Sequence, residues 1–127
     1  MSHHLETYAG NLFAELKSDK FLIGITANEM PERLTYYLSE INVLHPFRDG
    51  NGRSQRVFIE YLAKCAGYYV DFSNVSGKEM IEASALSFCK EYDMMTDMFK
   101  RIISDITPQE QQIFRKQIGI ATRERER

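Results

Sequence analysis

The sequence predicts an all-α domain, and three observations carry that prediction. Apolar residues recur at three- and four-residue spacing over most of the chain, the pattern of helices that bury one face. Helix-starting signals stand ahead of those stretches, at Asn28 with Pro31, at Ser76 with Glu79 and at Thr107 with Pro108. The only segment that reads otherwise, "YYVDF" at 68–72, is short and extended at best. With 127 residues there is room for one core and little more, so 1–127 is read as a single domain.

Leu5, Tyr8, Leu12 and Leu16 recur at helical spacing, which puts a first helix at about 5–17. "SDKFLIGITAN" breaks the pattern and is a connection. Asn28 caps a second helix, with Pro31 in its first turn, where a missing amide costs little. Its apolar face is Met30, Leu34, Tyr37, Leu38, Ile41 and Leu44. It stops at His45, because Pro46 disfavours helical geometry in the residue before it. A third helix starts near Asn51, carries Val57, Phe58, Tyr61, Leu62 and Cys65 inward, and ends at Gly67. Ser76 and Glu79 form a capping box for a fourth, running to about Tyr92. Met94, Met98, Ile102 and Ile106 mark a fifth that follows with only a kink. Thr107, Pro108 and Glu110 start a sixth, which reaches about Ile118 before Gly119. Residues 120–127 are expected to be a solvated, frayed tail, and residues 1–4 fit the remnant of an expression tag.

Composition narrows the function. Hydrophobic residues make up 43% and charged residues 27%, ordinary for a globular protein. A formal charge of -2 argues against a nucleic-acid-binding surface. No apolar run approaches the roughly 20 residues that span a bilayer, and no signal peptide opens the chain. Cys65 and Cys89 lie in helical apolar patterns without metal-ligand spacing, as reduced core thiols of a cytoplasmic protein would.

"HPFRDGNGRSQR", residues 45–56, is the exception to this plainness. Asp49-Gly50-Asn51-Gly52 joins helices two and three, and its glycines leave the backbone bare, so successive amides can converge on one point. The next helix adds free N-terminal amides and the positive end of its dipole. Arg53 and Arg56 follow one turn apart on the same face. Cations there oppose the dipole, each at about 0.3–1 kcal/mol. A bound anion reverses that sign, so a phosphate, or a polyphosphate spanning both arginines, is the natural ligand. Asp49 is an acid among donors and suits Mg²⁺ bridged to phosphate oxygens. His45, at the other rim, has the chemistry of a general base near neutral pH. Together these are parts for attack of a hydroxyl on a nucleotide phosphorus.

Each part alone has an ordinary explanation. Glycine-rich loops are mostly turns, a histidine at a helix end is more often a cap than a base, and Asp-Gly and Asn-Gly are common turn dipeptides. Their combination within twelve residues, around an unfavourable arginine pair, sets the stretch apart. A Walker A loop is excluded, since no lysine-hydroxyl pair follows the last glycine.

The stretch resembles the signature of the Fic family, H-P-F-x-[D/E]-G-N-G-R-x-x-R, through His45, Pro46, Phe47, Asp49, Gly50, Asn51, Gly52, Arg53 and Arg56. The likeness covers about Leu5 to Ile106 and implies a compact helical core. It implies AMP transfer from ATP to a Ser, Thr or Tyr hydroxyl of a target protein. His45 would then deprotonate the hydroxyl, and Asp49 would hold Mg²⁺ on the α- and β-phosphates. Gly50 to Gly52, with the Asn51 side chain, would form the anion hole, while Arg53 takes the β-phosphate and Arg56 the γ-phosphate. Phe47 reads as a core anchor, and Arg48, at the variable position, is given no role. Aspartate at 49 is permitted, with a shorter reach than the commoner glutamate.

Two departures from the family pattern qualify this. Family members usually carry further helices and a β-hairpin flap ahead of the helix at 5–17, and the expectation is that this chain lacks them. Many also carry an inhibitory helix, [S/T]-x-x-x-E-[G/N], whose Glu pairs with the second arginine. Thr122 to Glu126 fits its first part, but Arg127 replaces the Gly/Asn, and a frayed tail is a poor place for it. Inhibition is therefore expected from a separate antitoxin-like partner, from a segment ahead of Met1, or not at all. The alternatives to AMP transfer are transfer of another phosphate-containing moiety, and a shortened Fic domain that binds nucleotide or a partner without efficient transfer.

Overall fold

Among the described residues, six α-helices and a small ribbon follow in the order α1 (Ser2–Ser18), α2 (Met30–Leu44), α3 (Asn51–Ala66), β1 (Tyr68–Val70), α4 (Gly77–Phe88), α5 (Asp93–Ile102), β2 (Ile103–Asp105) and α6 (Pro108–Glu126). Short 3-10 turns lie at Lys20–Leu22 and Phe72–Asn74. This computed structural model describes the backbone of residues 2–44 and 51–126 and the side chains of 10–43 and 52–117. The all-α expectation holds.

α2 is the central helix. Met30, Leu34, Tyr37 and Leu38 are buried along it, as their spacing predicts. They share one core with Leu12 and Leu16 of α1, Ile59, Leu62 and Ala63 of α3, and Met95, Met98, Phe99 and Ile102 of α5. Burying each large apolar side chain contributes roughly 1.5–3 kcal/mol. Phe72 stands edge-on to Phe99, with ring centroids 5.9 Å apart.

α2 begins one residue later than Asn28 would place it. The Arg33 amide bonds the Glu29 carbonyl at 3.2 Å, and the Met30 amide bonds the Thr26 carbonyl at 2.9 Å, so a turn opened by Thr26 leads into the helix. Ahead of it, Lys20, Phe21 and Leu22 adopt successive positive φ values of 56°, 54° and 64°. Left-handed backbone costs roughly 1–2 kcal/mol per residue without glycine. Leu22, fully buried, offsets part of that strain, and Asp19 anchors the turn by accepting a 2.6 Å hydrogen bond from Tyr37.

On α3 the inward face differs from the expected one. Ile59, Leu62 and Ala63 are buried, whereas Val57 and Tyr61 are 39% and 52% exposed and Phe58 and Cys65 are half-buried. The helix is apolar on two sides, and the side that carries Ile59 and Ala63 joins the common core. Tyr61 instead meets Phe114 of α6, at 5.6 Å between ring centroids. Gly67 terminates α3 with φ 100°, and a Cβ there would meet Gln111 Nε2 at 3.0 Å.

α4 stops at Phe88, not near Tyr92. Glu91 N–H reaches back to the Leu86 carbonyl at 2.9 Å and Lys90 N–H to Ser87 at 3.0 Å, with Lys90 at φ 64°. This is a Schellman ending with lysine where glycine is usual. Cys89 at that corner is exposed, so it is not a core thiol. The fifth helix ends at Ile102, and 103–105 pair antiparallel with 68–70, in the register Tyr68 with Asp105 and Val70 with Ile103. Ile106 N–H to the Gly67 carbonyl (3.1 Å) and Asp71 N–H to the Ile102 carbonyl (3.2 Å) extend the ribbon at both ends. These pairings satisfy backbone groups that both segments would otherwise leave open.

The first and last helices run longer than their sequence signals suggest. The Thr107 hydroxyl accepts from the Glu110 amide at 3.1 Å, as expected, but α6 then runs on to Glu126 as helix instead of fraying after Ile118. Thr122 and Glu126 therefore stand on a helix, which removes the frayed-tail ground against the inhibitory pattern. α1 starts at Ser2, so His3 and His4 are part of it.

Candidate functional site

α3 opens with Asn51, Gly52 and Arg53 and has no acidic residue in its first turn. Its N-terminal amides and dipole are thus left unmatched by any carboxylate of their own turn, and Arg53, exposed, adds to the positive charge there. Arg56, one turn later, is half-buried. A Cβ built on Gly52 would lie 3.1 Å from Arg56 Nη1, so the guanidinium folds back across the bare glycine. A side chain at 52 would require that guanidinium to shift by a few tenths of an ångström.

Arg56 lines a 150 Å³ cleft with Phe72, Val75, Ser76, Gly77 and Met80. The start of α4 therefore stands beside the second arginine. Ser76 caps α4 by accepting from the Glu79 amide at 3.0 Å. The reciprocal half of the capping box is not made, since the Glu79 carboxylate binds the Arg101 guanidinium at 2.6 and 2.8 Å. Sequence reading took Ser76 for a cap alone. Its place at the arginine cleft depends on the chain reversal through β1 and the 3-10 turn at 72–74.

The helices on either side of the loop are each braced by a neighbouring helix. Near the end of α2, Asn42 Nδ2 donates to Ser84 Oγ of α4 at 3.2 Å, with both side chains buried. At the far end of α3, the Cys65 carbonyl accepts from Gln111 Nε2 (3.0 Å) and from Arg115 Nε (3.1 Å) and Nη2 (2.8 Å). A cation at a helix C-terminus is favourable, so the guanidinium of α6 supports α3 from the end opposite its anion site. Burial pushes the Cys65 thiol up, partly offset by Arg115.

His45, Asp49 and Gly50 lie outside the described residues, as does the side chain of Asn51, whose backbone opens α3. Of the expected site, the structure describes Gly52, Arg53 and Arg56, and it puts Gly52 and Arg56 in contact. Among the described residues there is no group of three or more histidines, cysteines or carboxylates that could hold a metal, and no helix is long and apolar enough to cross a membrane.

Residues 2–63 match the Fic/DOC family. The chain is 41% identical over 103 residues to protein adenylyltransferase VbhT of Bartonella schoenbuchensis, covering 81% of this chain and 22% of that protein. It is 31% identical over 102 residues to the probable protein adenylyltransferase Fic of Escherichia coli K12, covering 80% of this chain and 51% of the relative. Among solved structures, the BepC protein of Bartonella tribocorum with bound AMPPNP superposes with a TM-score of 0.76 at 29% identity, over 81% of this chain and 50% of that one. An N-terminal Fic domain from Bartonella quintana with bound ADP gives 0.75 at 30% identity, over 80% and 48%. The chain thus spans about half or less of the length of these relatives. With its signature from His45 to Arg56, its helical core and these likenesses together, the chain belongs to the Fic/DOC family.

Proposed function

We propose that this chain transfers AMP from ATP to a serine, threonine or tyrosine hydroxyl of a target protein. The observation that carries the reading is Arg56 folded over Gly52 at an acid-free helix start. Arg53 in that first turn opposes the helix dipole, and a bound polyanion reverses the sign. The adenine nucleotides bound by the Bartonella relatives support ATP as that polyanion.

The amides of Gly50 to Gly52, with the Asn51 side chain, cradle phosphate oxygens in the positive end of the α3 dipole. Arg53 takes the β-phosphate and Arg56 the γ-phosphate, so that the α-phosphorus faces His45. His45 accepts the proton of the target hydroxyl as that oxygen attacks the α-phosphorus. A new oxygen–phosphorus bond forms, the bond from the α-phosphorus to the bridging oxygen breaks, and pyrophosphate leaves. Asp49 offers one carboxylate, the donor set that suits Mg²⁺ completed by phosphate oxygens and water. When bound, that ion neutralises charge on the phosphates. We place the activity in the cytoplasm and its restraint in an antitoxin-like partner that presents a carboxylate to Arg56.

Transfer of label from α-labelled ATP into protein, read beside calorimetric ATP binding, tests this division of roles. His45→Ala should abolish transfer and leave ATP affinity unchanged, because imidazole acts on the hydroxyl. Arg56→Ala should weaken ATP binding by about 1–3 kcal/mol, the range for a charge-assisted hydrogen bond. Equal loss of affinity in the two variants would refute it.

A further inference from the structure

We propose that Asn42 and Ser84 form a positioning pair that holds the end of α2 in register with the Arg56 cleft, three residues ahead of His45 in the sequence. The inference rests on the reading of His45 as the base. Asn42 sits in the last turn of α2, three residues before His45. Its side chain and that of Ser84 are each 6% exposed, and they meet at 3.2 Å across the α2–α4 interface. The Ser84 carbonyl in turn accepts from Ser87 Oγ at 2.8 Å.

Stability alone does not account for such a pair. Replacing both members of a buried hydrogen bond by apolar groups of like shape is commonly neutral or favourable. What the pair supplies is direction and length. The buried side chains of α4, Ala83, Ser84 and Ser87, are all small, and shape alone gives such residues little grip on a neighbouring helix. A hydrogen bond with fixed partners does resist it.

α4 also carries the other half of the geometry. Its first turn, through Ser76, Gly77 and Met80, lines the cleft of Arg56. From Gly77 to Ser84 the helix rises about 10 Å, at roughly 1.5 Å per residue. One rigid helix thus spaces the end of α2 from the arginine that grips the nucleotide. A misplacement of about 1 Å at reacting groups can cost roughly a hundredfold in rate. A lost strut should therefore appear in kcat and not in nucleotide affinity.

The test uses Asn42→Ala, Ser84→Ala and the apolar pair Asn42→Leu/Ser84→Ala, with His45→Ala measured beside them. Three quantities are measured on the whole chain: kcat for transfer from α-labelled ATP into protein, Kd for ATP, and the melting temperature. Each variant is expected to lose about ten- to a hundredfold in kcat with Kd held within about twofold. Asn42→Leu/Ser84→Ala should melt at or above the native temperature and still lose kcat, which separates positioning from folding. Undiminished kcat in the apolar pair, or kcat, Kd and melting falling in step, would overturn the proposal. Transfer surviving His45→Ala alone would instead overturn the chemistry assigned to His45.

Discussion

Replacing Arg53 by glutamine should stabilise the empty protein and weaken the liganded one, two effects of opposite sign from one side chain. Arg53 is the third residue of α3, exposed, in a first turn without acids. A cation at that position opposes the helix dipole by about 0.3–1 kcal/mol, and its exposure puts the value near the lower end. Glutamine and arginine have nearly equal helix propensity, so little else changes. The empty variant should gain about 0.3–0.5 kcal/mol, roughly 1–2 °C in melting temperature for a chain of this size. Loss of a charge-assisted hydrogen bond to phosphate should raise the Kd for ATP roughly 10- to 150-fold. With ATP at about a hundred times the native Kd, ligand adds about 2.7 kcal/mol to the native chain but only about 0.4 kcal/mol to a variant weakened a hundredfold. Thermal melts with and without Mg·ATP at low salt should therefore cross. The variant melts higher when empty and lower when saturated. Added salt should shrink both differences. A variant that melts lower without ATP, or one that keeps the full ATP-induced shift, would refute the anion-site reasoning.

Alkaline stability gives a second check. Burial and then the hydrogen bond to Glu15 push the Tyr36 hydroxyl up to about 12, and burial with the Asp19 hydrogen bond raises Tyr37 further. A raised folded-state value favours the protonated form, so this stability is complete below pH ~10 and is lost as pH rises towards 12. Urea titrations of Tyr36→Phe should show a shallower fall over that window than the native chain, and an identical slope would count against the hydrogen bond to Glu15. In the core, Phe99→Ala should cost about 3–5 kcal/mol in urea unfolding, since the ring is fully buried against Phe72. A loss below about 1.5 kcal/mol would mean that the surrounding helices collapse to fill the space.

The helices and the phosphate loop were legible because their signals are local. Met30, Leu34, Tyr37 and Leu38 mark α2 through spacing alone, and Ser76 and Thr107 announce α4 and α6 through hydroxyls that do cap them. The errors fall where a distant partner decides. Val57 and Tyr61 fit an inward stripe as well as Ile59 and Ala63 do, and only the placement of α2 and α6 selects between them. Ile103 to Asp105 continue a helical period, yet the strand at 68–70 claims their backbone. Lys90 hides the end of α4 because the left-handed position there is not filled by glycine. Nothing near Asn42 along the chain points to Ser84, 42 residues away. For the site itself, the arginine pair was visible in the sequence, but its wall at Phe72 to Met80 was not.

The way α2 shares its core with α5 bears on how such a domain can be recombined. The family match ends at residue 63, inside α3, before α4 and α5 begin. Yet α2, which leads into the signature, packs on α5, and Met95, Met98 and Phe99 complete the core around Met30 and Leu34. At roughly 1.5–3 kcal/mol for each such side chain, removing them forfeits a sum comparable to the entire stability of a small domain, about 5–15 kcal/mol. A chimera that transplants the signature with its preceding helices alone would thus leave α2 without much of its core. The heritable unit extends at least through α5, and crossover points that preserve the chemistry belong after it.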